Sequence, residues 1–234
     1  MPKLKQFDTE SFQFPIGKGQ KIIFANNKSQ KTYIKNRMDR MLSKEPETIK
    51  WINRFEKDSV FFDVGANIGI YTLYSAVVKQ NRVYAFEPHS ASYKNLLDSI
   101  HLNQLENCNA YCVALSNQIN LSTINVKNMH EGVADNRVGE KGTYYHGCTE
   151  MHLDFLVGKN ILPQPDYIKI DVDGFEDRVL KGAWATIQKC KSVLVEIDHK
   201  HQHLVQKILD LGLTLESQHK RNEEENNYIF NANR

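Results

Sequence analysis

Residues 61–72 read FFDVGANIGIYT, an apolar run that leads into an acid and two glycines before a segment with helical spacing. Asp63, Gly65 and Gly69 therefore stand where a buried strand is predicted to end. Glycine allows a tight turn and lets a ligand approach the backbone closely. Ligands of open α/β sheets bind beyond the carboxyl ends of the strands. The stretch therefore predicts a nucleotide-binding turn.

This turn does not match the common phosphate-binding motifs. No Gly-Lys-Ser/Thr follows it, and Gly65 and Gly69 do not have the spacing of a dinucleotide fingerprint. Asp63 would also repel a pyrophosphate, whereas it would attract a cation. S-adenosylmethionine carries a sulfonium and an ammonium, so the acid favours this cofactor over NAD.

A second acid ends the next predicted strand, in VYAFEP at 83–88. Glu87 follows Gly65 at close to the roughly 20-residue separation of an acid that binds ribose hydroxyls. A solvated glutamate at a strand end is the alternative, but together with the first turn the position favours ribose binding. The third strand ends VALSN at 113–117, where Ser116 and Asn117 would border the adenine or form an ordinary turn.

From residue 59 onward, buried strands alternate with amphipathic helices, which predicts a parallel sheet covered on both faces. The predicted strands are 60–64, 83–86, 111–115, 167–172 and 193–197, and helices are expected from Pro46 to Glu56, after the first two strands, through Val179 and Ile187, and through Leu204 and Leu209. Leu213–Glu216 and Tyr228–Phe230 should pair antiparallel, with KRNEEENN at 220–227 as a solvated tip.

The domain organisation follows from these patterns. Residues 46–234 are predicted to form one domain, and residues 1–45 an N-terminal extension packed on the core or the acceptor site, with short strands at 21–25 and 31–35. The glycine-rich segment 117–150 has little periodicity, so it is interpreted as a lid or an acceptor-site excursion.

The segment DYIKIDVDGFED at 166–177 places Lys169 and Asp171 on one face of a central strand. A buried lysine must be paired, so Lys169 should meet a carboxylate. Asp171 would emerge beside the transferred group, although a purely structural ion pair is the alternative. VEIDHKHQH at 195–203 brings Glu196, Asp198 and His199 to the same edge. A metal held by His199, His203 and a carboxylate is conceivable but not favoured, because no zinc spacing supports it.

Composition narrows the function classes. A formal net charge of +2 argues against a protein that binds nucleic acid through bulk charge. No apolar run suits a membrane span, and the start MPKLKQFDTESF has no hydrophobic signal region, which predicts a cytoplasmic protein. The four cysteines form no C-x-x-C pair and are interpreted as structural thiols.

Together these segments resemble the FkbM family of S-adenosylmethionine-dependent methyltransferases. The matching stretches are DVGANIGIYTL at 63–73, VYAFEP at 83–88, NLLDSIHLNQL at 95–105, VALSN at 113–117, DYIKIDVDGFEDRVLKGA at 166–183 and VLVEID at 193–198. The resemblance implies a class I methyltransferase fold, Rossmann-like, with a mostly parallel seven-stranded sheet and a C-terminal antiparallel hairpin. It also implies methyl transfer to a hydroxyl of a sugar, glycan or other small molecule, with S-adenosylhomocysteine as product.

The resemblance implies that Asp63, Gly65, Asn67 and Gly69 line the methionine end of the cofactor, that Glu87 holds the ribose, and that Asp171 lies beside the transferred methyl. Further candidates for cofactor binding are Ala66, Pro88 and Ser116. For catalysis, the hypothesis is that Asp171 is the base or positions it, with His199 as the second candidate base and Lys169 as a further catalytic candidate. Asp173 departs from the glutamate usual after KIDV, and 131–148 carries no family signature, so the acceptor stays open.

Three other functions remain as alternatives. An RNA 2′-hydroxyl methyltransferase is disfavoured by the modest charge, and a binding module would keep the fold without turnover. An NAD-dependent oxidoreductase would be protected by NAD rather than by S-adenosylhomocysteine. No Asn/Asp-Pro-Pro-aromatic segment follows the fourth strand, so oxygen is a better acceptor than an amino nitrogen.

Overall fold

The computed structural model describes residues 10–17, 19–26, 40–126, 137–138 and 144–233. The strands are β1 (Glu10–Gly17), β2 (Gln20–Asn26), β3 (Val60–Val64), β4 (Arg82–Phe86), β5 (Cys108–Tyr111), β6 (Ala114–Ser116), β7 (Asn120–Val126), β8 (Arg137–Val138), β9 (Tyr144–His152), β10 (Tyr167–Ile170), β11 (Ser192–Asp198), β12 (Leu213–Lys220) and β13 (Glu225–Ala232). The helices are Met41–Lys44, Pro46–Asn53, Ile70–Tyr74 with a π-helical continuation Ser75–Lys79, Ser90–Leu102, Leu153–Gly158, Glu176–Lys181, Trp184–Ile187, the 3₁₀ turn His199–His201, and His203–Asp210.

Seven strands form the central sheet, in the order β12-β13-β11-β10-β3-β4-β5. The strands from β11 to β5 run parallel to their neighbours, whereas β13 runs antiparallel to both β11 and β12. Parallel strands need crossover connections, and the helices between them supply these. The predicted mostly parallel sheet with a C-terminal antiparallel hairpin is confirmed.

Apolar side chains cover both faces of this sheet. Phe61 packs into one cluster with Trp51 of helix Pro46–Asn53, while Phe62 packs into a second cluster with Ile168 of β10. Successive residues of a strand point to opposite faces. β3 therefore contributes side chains to the hydrophobic clusters on both faces of the sheet, which explains why its sequence is apolar almost throughout.

The prediction of a single strand at 111–115 is wrong. β5 ends at Tyr111, and Ala114–Ser116 forms β6, which pairs in parallel with β9 in a second sheet of order β6-β9-β7-β8. A single apolar run thus contributes to two sheets, and periodicity alone does not reveal such a break. In the predicted 117–150 excursion, β7 pairs antiparallel with β9, while 127–136 and 139–143 lie outside the described residues.

Two further elements are shorter than predicted. The helix expected through Val179 and Ile187 is broken at Gly182, where an added Cβ would lie 1.9 Å from the carbonyl oxygen of Ser116. The strand expected at 167–172 ends at Ile170, because the chain turns through positive φ at Asp173 and Gly174. Backbone geometry at these turns, rather than the apolar pattern, sets where the elements end.

The N-terminal segment packs on the domain as a β-hairpin. β1 and β2 pair antiparallel, and Ile22 and Phe24 are fully buried in the same cluster as Trp51. The strand predicted at 21–25 lies within β2, and β1 was not predicted. The strand predicted at 31–35 lies outside the described residues.

Side chains of helix Ser90–Leu102 take the place of a neighbouring strand along the outer edge of β2. Asn103, just after this helix, accepts from the Ile23 amide at 2.9 Å and donates to the Ile23 carbonyl at 2.5 Å. Ser99 accepts from the Ala25 amide, and Asn95 donates to the Ala25 carbonyl. Residues four apart lie on one helix face, so these three side chains form a ladder that satisfies the edge of β2.

Replacing Asn103 with Ala should remove both bonds to Ile23 and leave partly buried backbone groups unsatisfied. We expect the free energy of unfolding to fall by about 1–3 kcal/mol in urea denaturation. Lys94→Ala, on the exposed side of the same helix, should change it by less than about 0.5 kcal/mol. Equal losses in the two variants would contradict the ladder.

Candidate active site

A cavity of about 430 Å³ opens at the carboxyl ends of the central parallel strands. One side is formed by the turn after β3, with Gly65, Ala66 and Asn67, and by Glu87 and Pro88 after β4. The other side is formed by residues of β10, β11 and the β12–β13 turn. This is the edge at which ligands bind in open α/β sheets, and it is where the sequence placed the site.

The turn after β3 is shaped for close approach. The amides of Gly65 and Ala66 both donate to the carbonyl of Phe86, at 3.0 and 3.1 Å. Gly65 has a φ of +81°, and an added Cβ would lie 1.8 Å from the carbonyl oxygen of Asp171. Any larger residue at Gly65 would therefore push β3 and β10 apart at the rim of the cavity.

Asp63 lies beneath this turn and does not itself line the cavity. Its Oδ2 accepts from the Thr72 hydroxyl at 2.6 Å, while its Oδ1 has no hydrogen-bond partner among the described residues. Burial raises the pKa of Asp63, and the nearby Lys169 opposes that rise. Gly69, at the start of helix Ile70–Tyr74, likewise supports the turn from outside the cavity.

Glu87 presents a fixed carboxylate to the cavity. Its Oε2 accepts from the amide of Asn67 at 2.7 Å, and its Oε1 accepts from the amide of His89 at 2.8 Å. Burial raises the pKa of Glu87 to about 7, against the lowering effect of these two hydrogen bonds. A carboxylate held in this way is oriented before any ligand arrives.

Opposite Glu87, six side chains from five parts of the chain form a closed set of contacts, which we call the ionic ring. Its members are Glu45, Tyr71, Lys169, Asp171, Glu196 and Arg221. All six line the cavity; three are acids, two are bases and one is a phenol.

The centre of the ionic ring is the pair made by Lys169 and Asp171. Lys169 is 1% exposed, and its Nζ contacts Asp171 Oδ2 at 2.6 Å. The predicted carboxylate partner for this lysine is thereby present. The Lys169 ammonium also lies 4.9 Å from the ring centroid of Tyr71, whose hydroxyl donates to Glu45.

Arg221 closes the ionic ring from the C-terminal hairpin. Its Nε donates to Glu196 Oε1 at 2.9 Å, and its Nη2 lies 2.9 Å from Glu45 Oε1. Glu196 in turn hydrogen-bonds to Asp171. The expectation that 220–227 is a solvated tip is wrong for Arg221, Asn226 and Asn227, which are buried or nearly so. The ion pairs of Arg221 and the strand pairing of the two asparagines draw them inward.

Comparison with known proteins identifies the family. Residues 63–229 match the family model of the Methyltransferase FkbM domain. The chain belongs to the FkbM methyltransferase family. A hexuronic acid methyltransferase, AglP of Haloferax volcanii, is 29% identical over 145 residues, which cover 61% of this chain and 57% of AglP.

Solved methyltransferase structures share the fold of this FkbM chain. A Methylobacillus flagellatus FkbM methyltransferase aligns with a TM-score of 0.54 and 18% identity, over 76% of this chain and 44% of that one. The M. capricolum protein TrmK, solved with S-adenosylhomocysteine, aligns with a TM-score of 0.52 and 10% identity, over 80% of this chain and 68% of TrmK. The chain thus spans about half the length of AglP and of the M. flagellatus protein.

Two other predicted site residues of the FkbM chain lie away from the cavity. Ser116 is fully buried, and its Oγ accepts from the Gln118 amide, although its neighbours Ala114 and Leu115 line the cavity. The exposed His199 ring bonds to the carbonyl of Glu223. The described residues therefore do not bring His199 to the ionic ring.

Neither a metal cluster nor a membrane span is found in the part of the FkbM chain that the structure describes. No group of three or more His, Cys, Asp or Glu side chains is arranged to hold a metal ion there. Of the two candidate histidines, His199 contacts the carbonyl of Glu223 and His203 lies 3.9 Å from Asp177. The described helices include none that is long and apolar enough to cross a membrane.

Sequence reasoning missed the roles of Glu45, Tyr71 and Arg221 in the FkbM site. Glu45 precedes a helix and Arg221 stands in a run of polar residues, so neither carries a local signal. Glu196, by contrast, does carry a local sequence signal, because its charge interrupts the apolar strand VLVEID at the edge where ligands bind.

The pKa of Glu87 leads to a test of the ribose assignment. Ribose hydroxyls would donate to the ionised carboxylate, so affinity for S-adenosylhomocysteine should rise as the pH rises through about 7, where Glu87 loses its proton. Glu87→Gln should lower the affinity by about 10-fold or more and flatten this pH dependence. Isothermal titration calorimetry across this range measures both effects.

Glu176 provides a matched control for this titration. Burial also raises its pKa to about 7, but its carboxylate accepts from the amides of Val172 and Gly174 and does not line the cavity. Glu176→Gln should therefore keep the pH dependence. An unchanged pH profile in Glu87→Gln would refute the assignment.

Proposed function

We propose that this protein is an S-adenosylmethionine-dependent O-methyltransferase that acts on a hydroxyl of a sugar, glycan or other small molecule. The observation that carries the proposal is the cavity at the carboxyl edge of the sheet, with the fixed carboxylate of Glu87 on one side and the Lys169–Asp171 pair on the other. Membership of the FkbM family supports methyl transfer.

The residues present fit the cofactor. Its ribose would bind Glu87, and its methionine end would lie over the turn of Gly65, Ala66 and Asn67, towards the ionic ring. The described lining carries more acids than bases, and the unpartnered Oδ1 of Asp63 lies just beneath, so the site favours a positively charged ligand. S-adenosylmethionine supplies a methyl group that is already activated by its sulfonium.

The protein then has to align the acceptor hydroxyl with that methyl group. Proximity and orientation alone can contribute about 7–11 kcal/mol. Although burial would raise the pKa of Asp171, Lys169 and the hydrogen bond from Glu196 hold it below its usual range. Asp171 is therefore ionised, and its carboxylate accepts the hydrogen bond of the hydroxyl and positions it.

A sugar-like acceptor is supported by the relative AglP, which is a hexuronic acid methyltransferase. The three bases that line the described part of the cavity, Lys44, Lys169 and Arg221, all lie within 4 Å of acids. Such a lining offers little to the phosphates of RNA, whose binding depends on available Lys and Arg. This argues for a small hydroxylated acceptor over RNA.

The proposal is tested with methyl-labelled S-adenosylmethionine and a panel of neutral and acidic sugars, following label transfer and S-adenosylhomocysteine. We expect transfer to a hydroxyl, and a fall of roughly 10²–10⁴-fold in turnover for Asp171→Asn. Affinity for S-adenosylhomocysteine should change little in this variant, because the cofactor's ribose contact to Glu87 is intact.

Asp98→Asn, on the outer face of helix Ser90–Leu102 where Asp98 pairs with Lys94, should keep full turnover. Wild-type turnover in Asp171→Asn would show that Asp171 has no part in the reaction. Binding of S-adenosylhomocysteine without transfer to any hydroxyl would favour a non-catalytic module. Thermal protection by NAD instead would favour an oxidoreductase.

A further inference from the structure

Asp171 is well suited to position a hydroxyl but poorly suited to take its proton. A carboxylate whose pKa is held below its usual range is a weak base. The described cavity lining offers another acceptor beside it, because Glu196 hydrogen-bonds to Asp171 and is only 5% exposed. Either Asp171 or Glu196 could therefore accept the proton of the hydroxyl, and the two must be considered together.

The charges of the ionic ring do not balance when every acid is ionised. Glu45, Asp171 and Glu196 would carry three negative charges against the two positive charges of Lys169 and Arg221. Both cations are engaged, Lys169 with Asp171 and Arg221 with Glu45 and Glu196. Lys44 also lies 3.8 Å from Glu45, but its side chain is 46% exposed, so solvent screens its charge. One proton would therefore make the six groups of the ring neutral.

Asp171 and Glu196 follow two opposite residues of the parallel strands β10 and β11, Ile170 and Val195, so their carboxyl groups lie side by side at the cavity. An ionised carboxylate only accepts hydrogen bonds, so two carboxyl groups bond to each other only when one of them is protonated. Lys169 holds Asp171 in the ionised form, which leaves Glu196 as the donor. The residue opposite Glu196 on β13 is Asn227, which adds no charge.

We propose that the Asp171–Glu196 pair holds one proton before the cofactor binds, that the positive charge of the cofactor's sulfonium expels this proton, and that Glu196 then takes the proton of the acceptor hydroxyl. This inference rests on the proposed function. It makes Glu196 the general base, with Asp171 and Arg221 as its positioning residues.

The pKa values are consistent with this cycle. Burial, and then the negative charge of Asp171, raise the pKa of Glu196 to about 10, although Arg221 and Lys169 oppose the rise. A positive charge within about 4–6 Å lowers the pKa of a carboxyl group by roughly 1–3. The sulfonium would therefore lower the pKa of Glu196, so the proton is expelled more completely as the pH rises.

The transfer step balances in atoms and charge. The acceptor oxygen forms the new bond to the methyl carbon, the carbon–sulfur bond breaks with its electron pair left on sulfur, and the hydroxyl proton passes to Glu196. The positive charge on sulfur and the negative charge on Glu196 disappear together. The pair thus returns to its protonated form, ready for the next cycle.

The test compares proton release on binding of S-adenosylmethionine and of S-adenosylhomocysteine, without acceptor. Calorimetric titrations at about pH 8, in buffers of different ionisation enthalpy, give the number of protons released. The two ligands share the ribose and the methionine end, so any titration of Glu87 cancels in the difference. We expect S-adenosylmethionine to release about half to one proton more, and the difference to grow as the pH rises above about 7.

Glu196→Gln identifies the source of the proton. Gln keeps an acceptor for Arg221 and a donor for Asp171, so S-adenosylhomocysteine should bind within about threefold of wild type. We expect the extra proton release to disappear and turnover to fall by roughly 10²–10⁴-fold. The matched control is Glu225→Gln, which changes an acid that lines the same cavity but bonds to Asn222, and it should keep the extra release.

Equal proton release for the two ligands in the wild-type protein would overturn the inference while leaving cofactor binding intact. Extra release that persists in Glu196→Gln would overturn the assignment to this residue. Should that variant not fold, the wild-type comparison alone decides. An absence of binding heat with both ligands would instead refute the proposed function itself.

Discussion

A single buried charge organises the site. Lys169 lies in the middle of the central strand β10, where an unpaired ammonium would be very costly. Burial by itself would lower its pKa, but Asp171, Glu45 and Asp63 together raise it above its usual value. The lysine thus needs several carboxylates around it. Removing one partner of a buried ion pair typically costs about 3–5 kcal/mol of stability. A substitution of Lys169 or of any one of these carboxylates would therefore destabilise the others.

The carboxylates that satisfy Lys169 come from distant parts of the sequence. Glu45 precedes the first helix that packs on the sheet, and Arg221 joins it to Glu196 from the C-terminal hairpin. Glu45 and Arg221 thus join a segment before the parallel core to the C-terminal hairpin on the side of the cavity that carries the ionic ring. On the other side, the turn after β3 and Glu87 belong to the parallel core alone. The Glu87 side is therefore local to the core, whereas the ionic ring depends on contacts between segments far apart in the chain.

This division explains how much of the site could be predicted from the sequence. Glu87 and Asp171 each follow an apolar strand, and the topology of a parallel sheet brings such positions to one edge. The partner of Lys169 was predictable because a buried ammonium requires one. Arg221 was not, because its pairing with Glu45 bridges segments far apart in the chain, and hydrophobic periodicity carries no information about such contacts.

The fold shows the same limits. The parallel direction of the core strands followed from the alternation of strands and helices, since parallel strands need crossovers. The break between β5 and β6, by contrast, depends on which partner each half of one apolar run finds, and the break at Gly182 depends on a close approach to Ser116. Tertiary contacts decide both, so local sequence patterns could not.

Helix Ser90–Leu102 connects the N-terminal hairpin with the cavity through hydrogen bonds at its two ends. At its start, the amide of His89 donates a hydrogen bond to Glu87, and near its end the side chains of Ser99 and Asn103 accept hydrogen bonds from backbone amides of β2. The helix therefore joins the N-terminal hairpin to the carboxylate of Glu87. Proteolytic removal of residues 10–26 would take away the partner of Asn95, Ser99 and Asn103. Loosening of this helix would then reach the His89 amide and, through it, the orientation of Glu87.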